Sequence, residues 1–573
     1  MSMAMTACGA AKDWKQQFAA VSDEYFDQVY FHYAPSAGTM VGFHQYDTQL
    51  EDFSRTTIDA EIAALHDFER RVEAIQPDDS AADFVARSDR EMVLANIRSQ
   101  LLTLETIRPW EKNADMYSST CASAAFVLME RKFAPADHRL RSLVARERQM
   151  PALLAAARTN LNHPPRIFTQ VAIEQLPGIV GFFEHDVPAA FADAKDETLR
   201  AEFARTNAAV IAALNDYLKW LRTDLQARSN GDFRIGADTF QKKLLYDEMV
   251  DVRLDKLLEI GWTDLHRNQE HFRQVAAELE PGKDPRAVLD ELGAMHPAPD
   301  QLLASFRATF NGLVSFILEH HIVTIPSDVR PVVEETPPFM RATTFASMDT
   351  PGPYETHATE AYFNATLPEP SMTPSEVEGY MHGFNMGTVI STAVHEAYPG
   401  HYVQFLWVPQ APSKVRKLLG ANTNVEGWAH YCEQMMLDEG YGQPGAGAKD
   451  EREAKFLRLG QLQDALLRNA RFIVGIEMHT GKMTVAQAEE FFQKEGYQSK
   501  ESAEVETKRG AGDPTYLYYT LGKLEIMKLC ADVKKKEGAA FSLEKFHDDF
   551  LRQGFPPIKI VREAMLADNS PTL

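Results

Sequence analysis

Apolar residues recur at spacings of three and four positions over most of the first 330 residues of the chain. The pattern is clear in "SDREMVLANIRSQLLTLETIRPW" (88–110) and in the stretch 196–229, and prolines and glycines interrupt it. These spacings place apolar side chains on one face of an α-helix. The region 12–330 is therefore predicted to be an array of α-helices.

The pattern changes between 324 and 370, where proline and threonine are frequent and short β-prone pieces alternate with loops. This predicts a small sheet or hairpin. Helical spacing resumes in 376–398, 424–441 and 451–481. We predict one continuous, mostly α fold with two helical lobes around a central cleft, a small β element near 324–370 and a C-terminal region 331–573.

Charge and hydropathy limit the class of partner. The formal net charge is -23, from 82 acidic against 59 basic residues, which argues against nucleic acid because phosphate binding requires a basic surface. No run approaches the roughly 20 apolar residues of a membrane helix, and "GLVSFILEHHIV" (312–323) is too short and carries charge. We expect no integral membrane segment, and small molecules or peptides as partners.

The cysteines bear on localisation. Cys8, Cys121, Cys432 and Cys530 are scattered without a C-x-x-C motif, so they indicate neither a cysteine zinc site nor a disulfide scaffold. "MTACGA" places small residues before Cys8, as at the end of a lipoprotein signal, although the usual apolar stretch is missing. Residues 1–11 are either a signal remnant, which slightly favours the bacterial cell envelope, or a disordered terminus compatible with the cytoplasm.

Candidate chemistry lies in "TAVHEAYPGHYVQFLW" (392–407), where His395 and Glu396 are adjacent and His401 follows six residues after the first histidine. A hydrolytic zinc site requires three protein ligands, a free position for water and a carboxylate base. His395 and His401 are candidate ligands and Glu396 the candidate base. Glu426 in "NVEGWAHYCEQM", 25 residues beyond His401, is the candidate third ligand.

The six-residue spacing is unusual, because positions six apart differ by about 240° around an unbroken helix. Pro399 removes an intrahelical hydrogen bond and Gly400 permits unusual backbone angles. We therefore predict a break at 398–400 that turns His401 back toward His395. His430, four residues after Glu426, is expected to orient a ligand, to ligate directly if His401 points away, or to have no role in the site.

Four segments carry a family resemblance: "PGPYETHATEAYFNATLPEP", "HEAYPGHYVQFL", "EGWAHYCEQM" and "DPTYLYYTLGKLEIMKL". In this order they resemble the motifs of the bacterial domain of unknown function 885 family, densely over 350–530. That family resembles helical zinc peptidases such as angiotensin-converting enzyme, thimet oligopeptidase and the thermostable carboxypeptidases, although these use an uninterrupted HExxH. The sequence has "DPTYLYY" where many members have a "PGQA" turn.

The resemblance implies a zinc metallopeptidase that acts on short peptides, as a carboxypeptidase or dipeptidyl carboxypeptidase. It assigns Zn²⁺ to His395, His401 and Glu426, and the general base to Glu396. An oxyanion formed during hydrolysis requires a donor besides the metal. Tyr519 is the first candidate because, counted back from Gly522, it occupies the position of the family's tyrosine.

Further candidates stay open. Tyr518 is the second choice of oxyanion donor, and core packing is the alternative for both tyrosines. Arg509, in the glycine-rich "ETKRGAGDP" that reads as a loop, is a candidate partner for a substrate carboxylate or a solvated charge. His357 is expected on a cleft wall as a substrate-binding residue, and "RATTFAS" (341–347) is a candidate edge strand for the substrate backbone.

Other classes find less support. A di-iron bundle requires two Glu-x-x-His motifs, and the chain offers Glu544 to His547 alone. A serine-hydrolase G-x-S-x-G elbow and a phosphate-binding G-x-x-x-x-G-K-[ST] loop are both missing. The remaining alternative is a non-catalytic helical envelope or binding protein with a degenerate metal site, which zinc content would distinguish.

Overall fold

A computed structural model describes residues 13–78, 83–337, 340–341 and 344–573 of the chain. Helices hold 71% of the residues and strands 3%. The prediction of a mostly α fold with a small β element is therefore confirmed. Cys8 and the predicted 1–11 terminus lie outside the described residues.

Twenty-eight α-helices lie in the described part of the chain. The N-terminal ones are α1 Trp14–Tyr25, α2 Phe31–Tyr33, α3 Pro35–Met40, α4 Arg55–Ala74, α5 Phe84–Leu101, α6 Pro109–Lys112, α7 Ala114–Met129, α8 Ala136–Glu147, α9 Met150–Asn160, α10 Arg166–Gly181, α11 Val187–Ala190, α12 Glu197–Trp220, α13 Gln226–Arg228, α14 Ala237–Glu248, α15 Leu254–Leu279, α16 Pro285–Gly293 and α17 Leu302–Glu319. The C-terminal ones are α18 Pro374–Met381, α19 Met386–Glu396, α20 His401–Trp407, α21 Lys414–Leu418, α22 Asn422–Asp438, α23 Glu451–His479, α24 Val485–Lys494, α25 Lys500–Gly512, α26 Tyr518–Glu537, α27 Leu543–Leu551 and α28 Ile558–Leu566.

Shorter helical turns join these elements. The π-helical turns are Phe26–Tyr30, Leu102–Ile107, Phe182–Asp186 and Leu221–Leu225. The 3₁₀ turns are His44–Tyr46, Pro299–Gln301, His382–Phe384, Val408–Gln410 and Gly538–Ala540. The stretches 88–110 and 196–229 each overlap a long helix that continues into a π turn.

The β element is a three-stranded sheet of β1 Val332–Glu335, β2 Ala346–Asp349 and β3 Tyr362–Ala365. The central strand β3 pairs in parallel with β1 and antiparallel with β2. A second, two-stranded sheet joins β4 Gln443–Pro444 to β5 Gly447–Ala448. The candidate edge strand 341–347 overlaps the edge strand β2 at its last two residues, and 342–343 lie outside the described residues.

The cores connect the two halves of the chain. The largest one packs α17 and the three-stranded sheet against α19, α20, α22 and α26–α28, and a second lies among α7–α12. Smaller cores pack α14 and α15 directly against α23 and α26. The regions 12–330 and 331–573 therefore share buried surfaces.

One helical segment of the described residues, Pro299–Glu319, has the length and composition of a membrane span. It is longer than the stretch 312–323 that the sequence suggested. Its residues Leu302, Phe306, Leu313 and Ile317 are fully buried in the largest core. This contact identifies α17 as a core helix and agrees with the expectation of no integral membrane segment.

The prediction of one helix over 376–398 is wrong at its middle. The stretch is divided into α18, a 3₁₀ turn and α19. Asn385, in an extended conformation, accepts hydrogen bonds from the backbone N–H groups of Gly387 and Thr388, both at 3.0 Å. Asparagine is a preferred N-cap residue, so Asn385 starts a new helix where the apolar spacing continues without interruption.

Two pairs of glycines let four helices approach closely. At the crossing of α19 and α23, a Cβ on Gly387 would lie 2.8 Å from the Cα of Gly460. At the crossing of α22 and α26, a Cβ on Gly427 would lie 2.6 Å from the Cα of Gly522. These contacts hold together the helices that carry the residues described next.

Candidate metal centre

The chain reverses sharply between the end of α19 at Glu396 and the start of α20 at His401. The Gly400 N–H donates to the Val394 carbonyl at 2.9 Å, and a Cβ on Gly400 would overlap the His395 carbonyl oxygen. The Trp428 indole N–H donates to the Pro399 carbonyl at 3.0 Å. The break predicted at 398–400 is thus confirmed, and it requires glycine at position 400.

This turn brings the two histidines together. Their ring centroids lie 4.8 Å apart, and Glu426 Oε2 lies 3.4 Å from His395 Nε2 and 3.3 Å from His401 Nε2. Ligand atoms bound tetrahedrally to zinc at 2.0–2.1 Å are about 3.3 Å apart. The spacing of this group, called the buried cluster below, therefore fits one zinc ion.

The charges of the buried cluster also fit a cation. Burial alone would raise the pKa of Glu426, but the two histidines outweigh it and hold that pKa well below its ordinary value. Oε2 is buried and has no hydrogen-bond partner among the described residues, although it faces two imidazole nitrogens. An ionised oxygen between two ring nitrogens is stabilised by a shared cation.

Glu433, which the sequence reasoning missed, orients His395. Its Oε1 lies 2.7 Å from His395 Nδ1 and 2.9 Å from Arg468 Nη2. A carboxylate at Nδ1 places the proton there and leaves Nε2 free to ligate. Burial alone would lower the pKa of His395, but the nearby carboxylates of Glu426 and Glu433 raise it to about 9.

His430 lies behind this carboxylate. It is fully buried, and its Nδ1 is 3.0 Å from Glu433 Oε2. Burial lowers its pKa to about 3, so the ring is neutral. Because His430 contacts Glu433 rather than the converging ligand atoms, its position suits the orienting role expected of it, and His401 occupies the place of the second ligand.

A buried carboxylate from the N-terminal half holds the start of α22. Glu248 Oε2 accepts the Thr423 N–H at 2.8 Å and Oε1 accepts the Asn422 N–H at 3.2 Å. A carboxylate at a helix N-terminus satisfies free N–H groups and complements the helix dipole. Glu248 therefore helps to position Glu426, and sequence spacing offers no signal for this contact.

Glu396 lies beside the two histidines of the buried cluster. One ligand atom from each of His395, Glu396 and His401 falls within 4.8 Å of the others. Burial raises the pKa of the Glu396 carboxyl, against the opposing effect of the two histidines. A raised pKa suits a general base that works near neutral pH.

The ring of Tyr519 lies beside the ring of His395. The two rings are stacked at a centroid distance of 6.2 Å, and the Tyr519 hydroxyl accepts a hydrogen bond from Arg509 Nη2 at 2.8 Å. Burial raises the pKa of Tyr519 to about 12, so the hydroxyl keeps its proton at neutral pH. The Tyr518 hydroxyl instead donates to Asp513 Oδ2 at 2.6 Å.

The loop predicted around Arg509 is wrong, because Arg509 lies in the last turns of α25. The glycines there serve packing, since a Cβ on Gly510 would overlap the Tyr516 side chain. Neighbouring Arg468 and Arg471 are paired with Glu433 and Glu506. Arg509 has no carboxylate within ion-pair distance in the described parts of the chain.

Comparison with known proteins decides the family. The family model described as "Bacterial protein of unknown function (DUF885)" matches residues 35–565. The chain belongs to this family. No curated protein matches it.

Two solved structures share the fold of this DUF885 protein. One is "a putative lipoprotein of unknown function from Shewanella oneidensis", 26% identical, with a TM-score of 0.76 over 97% of this chain and 100% of that one. The other is a "putative lipoprotein from Colwellia psychrerythraea", 18% identical, with a TM-score of 0.80 over 97% and 99%. At 18% identity the second likeness concerns the fold alone.

Two histidines singled out by the sequence lie outside the buried cluster. His357 is exposed, and the hydrogen bonds it makes within the described residues are to Glu355 and Thr356, so the structure does not bring this predicted substrate-binding residue to the buried cluster. His547 is buried, with Nδ1 on the Ile322 carbonyl at 2.6 Å and Nε2 on the Tyr431 hydroxyl at 3.0 Å. Both of its ring nitrogens therefore have hydrogen-bond partners inside the core.

Proposed function

We propose that this protein is a zinc-dependent metallopeptidase that hydrolyses short peptides, with Zn²⁺ held by His395, His401 and Glu426. The observation that carries the proposal is the buried Glu426 Oε2, which faces both imidazole nitrogens at zinc-like spacing without a hydrogen bond. The Glu433 contact to His395 supports it, because a carboxylate behind a ligating histidine is typical of zinc sites.

The surrounding side chains supply the other parts of a hydrolytic site. Zinc, when bound, acidifies water and polarises a carbonyl. Glu396 accepts the proton of the attacking water and passes it to the leaving amine. The Tyr519 hydroxyl, protonated at neutral pH, donates to the oxygen of the scissile carbonyl as it gains charge.

Arg509 makes the proposal more specific. It is a partly buried cation without a carboxylate partner among the described residues, and it is hydrogen-bonded to the tyrosine that stacks on a proposed ligand. A guanidinium in this position binds a carboxylate through two parallel hydrogen bonds. We therefore assign the C-terminal carboxylate of the substrate to Arg509, which makes the enzyme a carboxypeptidase or dipeptidyl carboxypeptidase.

The decisive experiment measures zinc content and peptide hydrolysis before and after Glu396→Gln. We expect bound zinc in both proteins and a fall in kcat/KM of about 10²- to 10⁴-fold, the contribution of a general base. Glu147→Gln is the matched control, since Glu147 is also buried and its pKa is raised by burial to about 8. Absence of zinc, or equal activity after Glu396→Gln, would overturn the proposal.

A second experiment tests the carboxylate assignment. Arg509→Gln should raise KM for peptides with a free C-terminus. It should leave the hydrolysis of C-terminally amidated peptides at the low rate that the unmodified enzyme shows. Arg458→Gln is the control, because Arg458 pairs with Asp438. Equal loss on both kinds of peptide would show that Arg509 acts on the site as a whole. Zinc without hydrolysis of any peptide would favour the binding-protein alternative.

Localisation in the bacterial cell envelope is the remaining part of the proposal. The names of both structural relatives include the word lipoprotein. Cys8 is the candidate residue for attachment of the lipid. Incorporation of labelled palmitate into cells that express the full gene, compared with a Cys8→Ser variant, tests this. Label retained by the variant would exclude Cys8 as the lipidated residue.

A further inference from the structure

A second group of two histidines and one glutamate lies at the protein surface. Glu378 Oε1 is 3.3 Å from His296 Nε2 and 3.6 Å from His382 Nε2. One ligand atom from each residue lies within 4.8 Å of the others. The side chains are 11%, 61% and 40% exposed for His296, Glu378 and His382. We call this group the exposed cluster.

Its geometry is built from two separate elements. Glu378 and His382 are four residues apart on α18 and the turn that follows, so they lie on one helical face. His296 comes from the connection between α16 and α17. That connection is tied down because the Met386 N–H, at the start of α19, donates to the Met295 carbonyl at 2.9 Å.

The hydrogen bonding of His296 leaves a ligand atom free. Its Nδ1 lies 2.8 Å from the Pro297 carbonyl, and a carbonyl only accepts, so Nδ1 carries the proton. In a neutral ring Nε2 then presents its lone pair to Glu378 Oε1, which is itself an acceptor. His382 Nε2 faces the same oxygen, and one cation among the three atoms satisfies all of them.

The ring of His382 lies against α16. A Cβ on Gly293, the last residue of α16, would lie 2.9 Å from His382 Nδ1. The Nε2 atom of the ring lies on the side of Glu378. His296 is therefore oriented by a backbone carbonyl, whereas the His382 side chain is 40% exposed and contacts α16 on one side.

We propose that the exposed cluster is a second metal site, which takes a divalent late transition ion, with Zn²⁺ as the reference, through His296, Glu378 and His382. Imidazole nitrogens with a carboxylate suit zinc, nickel and copper. The ion would join the α16–α17 connection to α18, next to the start of the helix that carries His395. Exposure leaves its remaining positions to water.

The test counts zinc per chain after the metal-free full-length protein is equilibrated with Zn²⁺ and freed of excess ion by gel filtration. His382→Gln should lower the count by one equivalent relative to the unmodified chain, whatever the buried cluster holds. His66→Gln is the control, since this surface histidine lies 3.7 Å from Glu69 and 2.9 Å from Glu105 without a second histidine.

A second background makes the result independent of the proposed peptidase site. In a chain with His401→Gln and Glu426→Gln, one zinc should remain, and His382→Gln should remove it. Circular dichroism of each variant checks folding. If the double variant does not fold, the zinc counts of the otherwise unmodified chain with and without His382→Gln decide the outcome. The proposal is overturned if His382→Gln leaves the count unchanged, or if His66→Gln lowers it equally.

Discussion

The buried and exposed clusters offer the same three ligand types at nearly the same spacing, yet their surroundings differ. In the buried cluster the Glu426 and histidine side chains are 6–21% exposed, whereas Glu378 and His382 in the exposed cluster are 61% and 40% exposed. His395 is oriented by a buried carboxylate that also contacts His430 and Arg468. His296 is oriented by a backbone carbonyl alone.

The difference indicates that ligand type does not distinguish a catalytic metal from a structural one. The buried cluster has an additional carboxylate, Glu396, and a protonated tyrosine, Tyr519, stacked on a ligand. Among the described residues, the histidines of the exposed cluster have Glu378 as their one carboxylate within ion-pair distance. The proposed base and oxyanion donor are what distinguish the buried cluster from the exposed one.

The largest effect is expected from matched glutamate replacements. Glu426→Gln should lower peptidase kcat/KM by about 10³-fold or more, because loss of the ion removes both water activation and carbonyl polarisation. Glu378→Gln should change it by less than about twofold, since its site has no catalytic partner. Steady-state kinetics on one peptide measures both, and equal effects would remove the distinction between the clusters.

The tyrosine beside the buried cluster comes next. Tyr519→Phe should lower kcat by about 10²- to 10³-fold with little change in KM, the cost of one oxyanion donor. Tyr518→Phe should have a smaller effect because its hydroxyl is bound to Asp513. Kinetics at saturating peptide distinguishes them, and the opposite ranking would transfer the role to Tyr518.

Each cluster packs against a glycine, and the two glycines should respond differently. Gly400→Ala should destabilise the protein by about 3 kcal/mol, because the added Cβ meets the backbone of His395. Gly293→Ala meets the His382 ring, a side chain that can rotate, and should cost less than about 1 kcal/mol. Calorimetric unfolding of the metal-free proteins compares them. A large effect at Gly293 would show that the exposed cluster is rigid.

The smallest effect concerns the carboxylate behind His395. Glu433→Gln should weaken zinc binding about 10- to 100-fold, as expected for a group that orients a ligand. Competition with a chelator of known affinity measures this change. Glu439→Gln, an exposed position just after the same helix, is the control. Unchanged affinity after Glu433→Gln would mean that packing alone orients His395.

Local features of the fold could be predicted because they depend on neighbouring residues. The helical regions follow from apolar spacing, and the small sheet follows from the change in composition near 324. Pro399 and Gly400 predicted the break before His401. The division at Asn385 was missed because the cap is one residue within an uninterrupted apolar pattern.

Contacts between distant elements could not be predicted. Arg468 reaches Glu433 from another helix, and Glu248 caps α22 from the N-terminal half. The glycines beside Arg509 suggested a loop, whereas they lie in a helix and Gly510 makes room for Tyr516. His296 and His382 are 86 residues apart in the chain, and no local spacing relates them.

The sequence by itself determined which residue types stand near the turn at Pro399 and where the helix must break, because backbone sterics act over a few residues. Only the tertiary structure decided which carboxylates share an imidazole, which arginine is left unpaired and which histidines meet at the surface. These outcomes depend on how the helices pack, as at the close crossings Gly387–Gly460 and Gly427–Gly522, and such packing is a property of the whole fold.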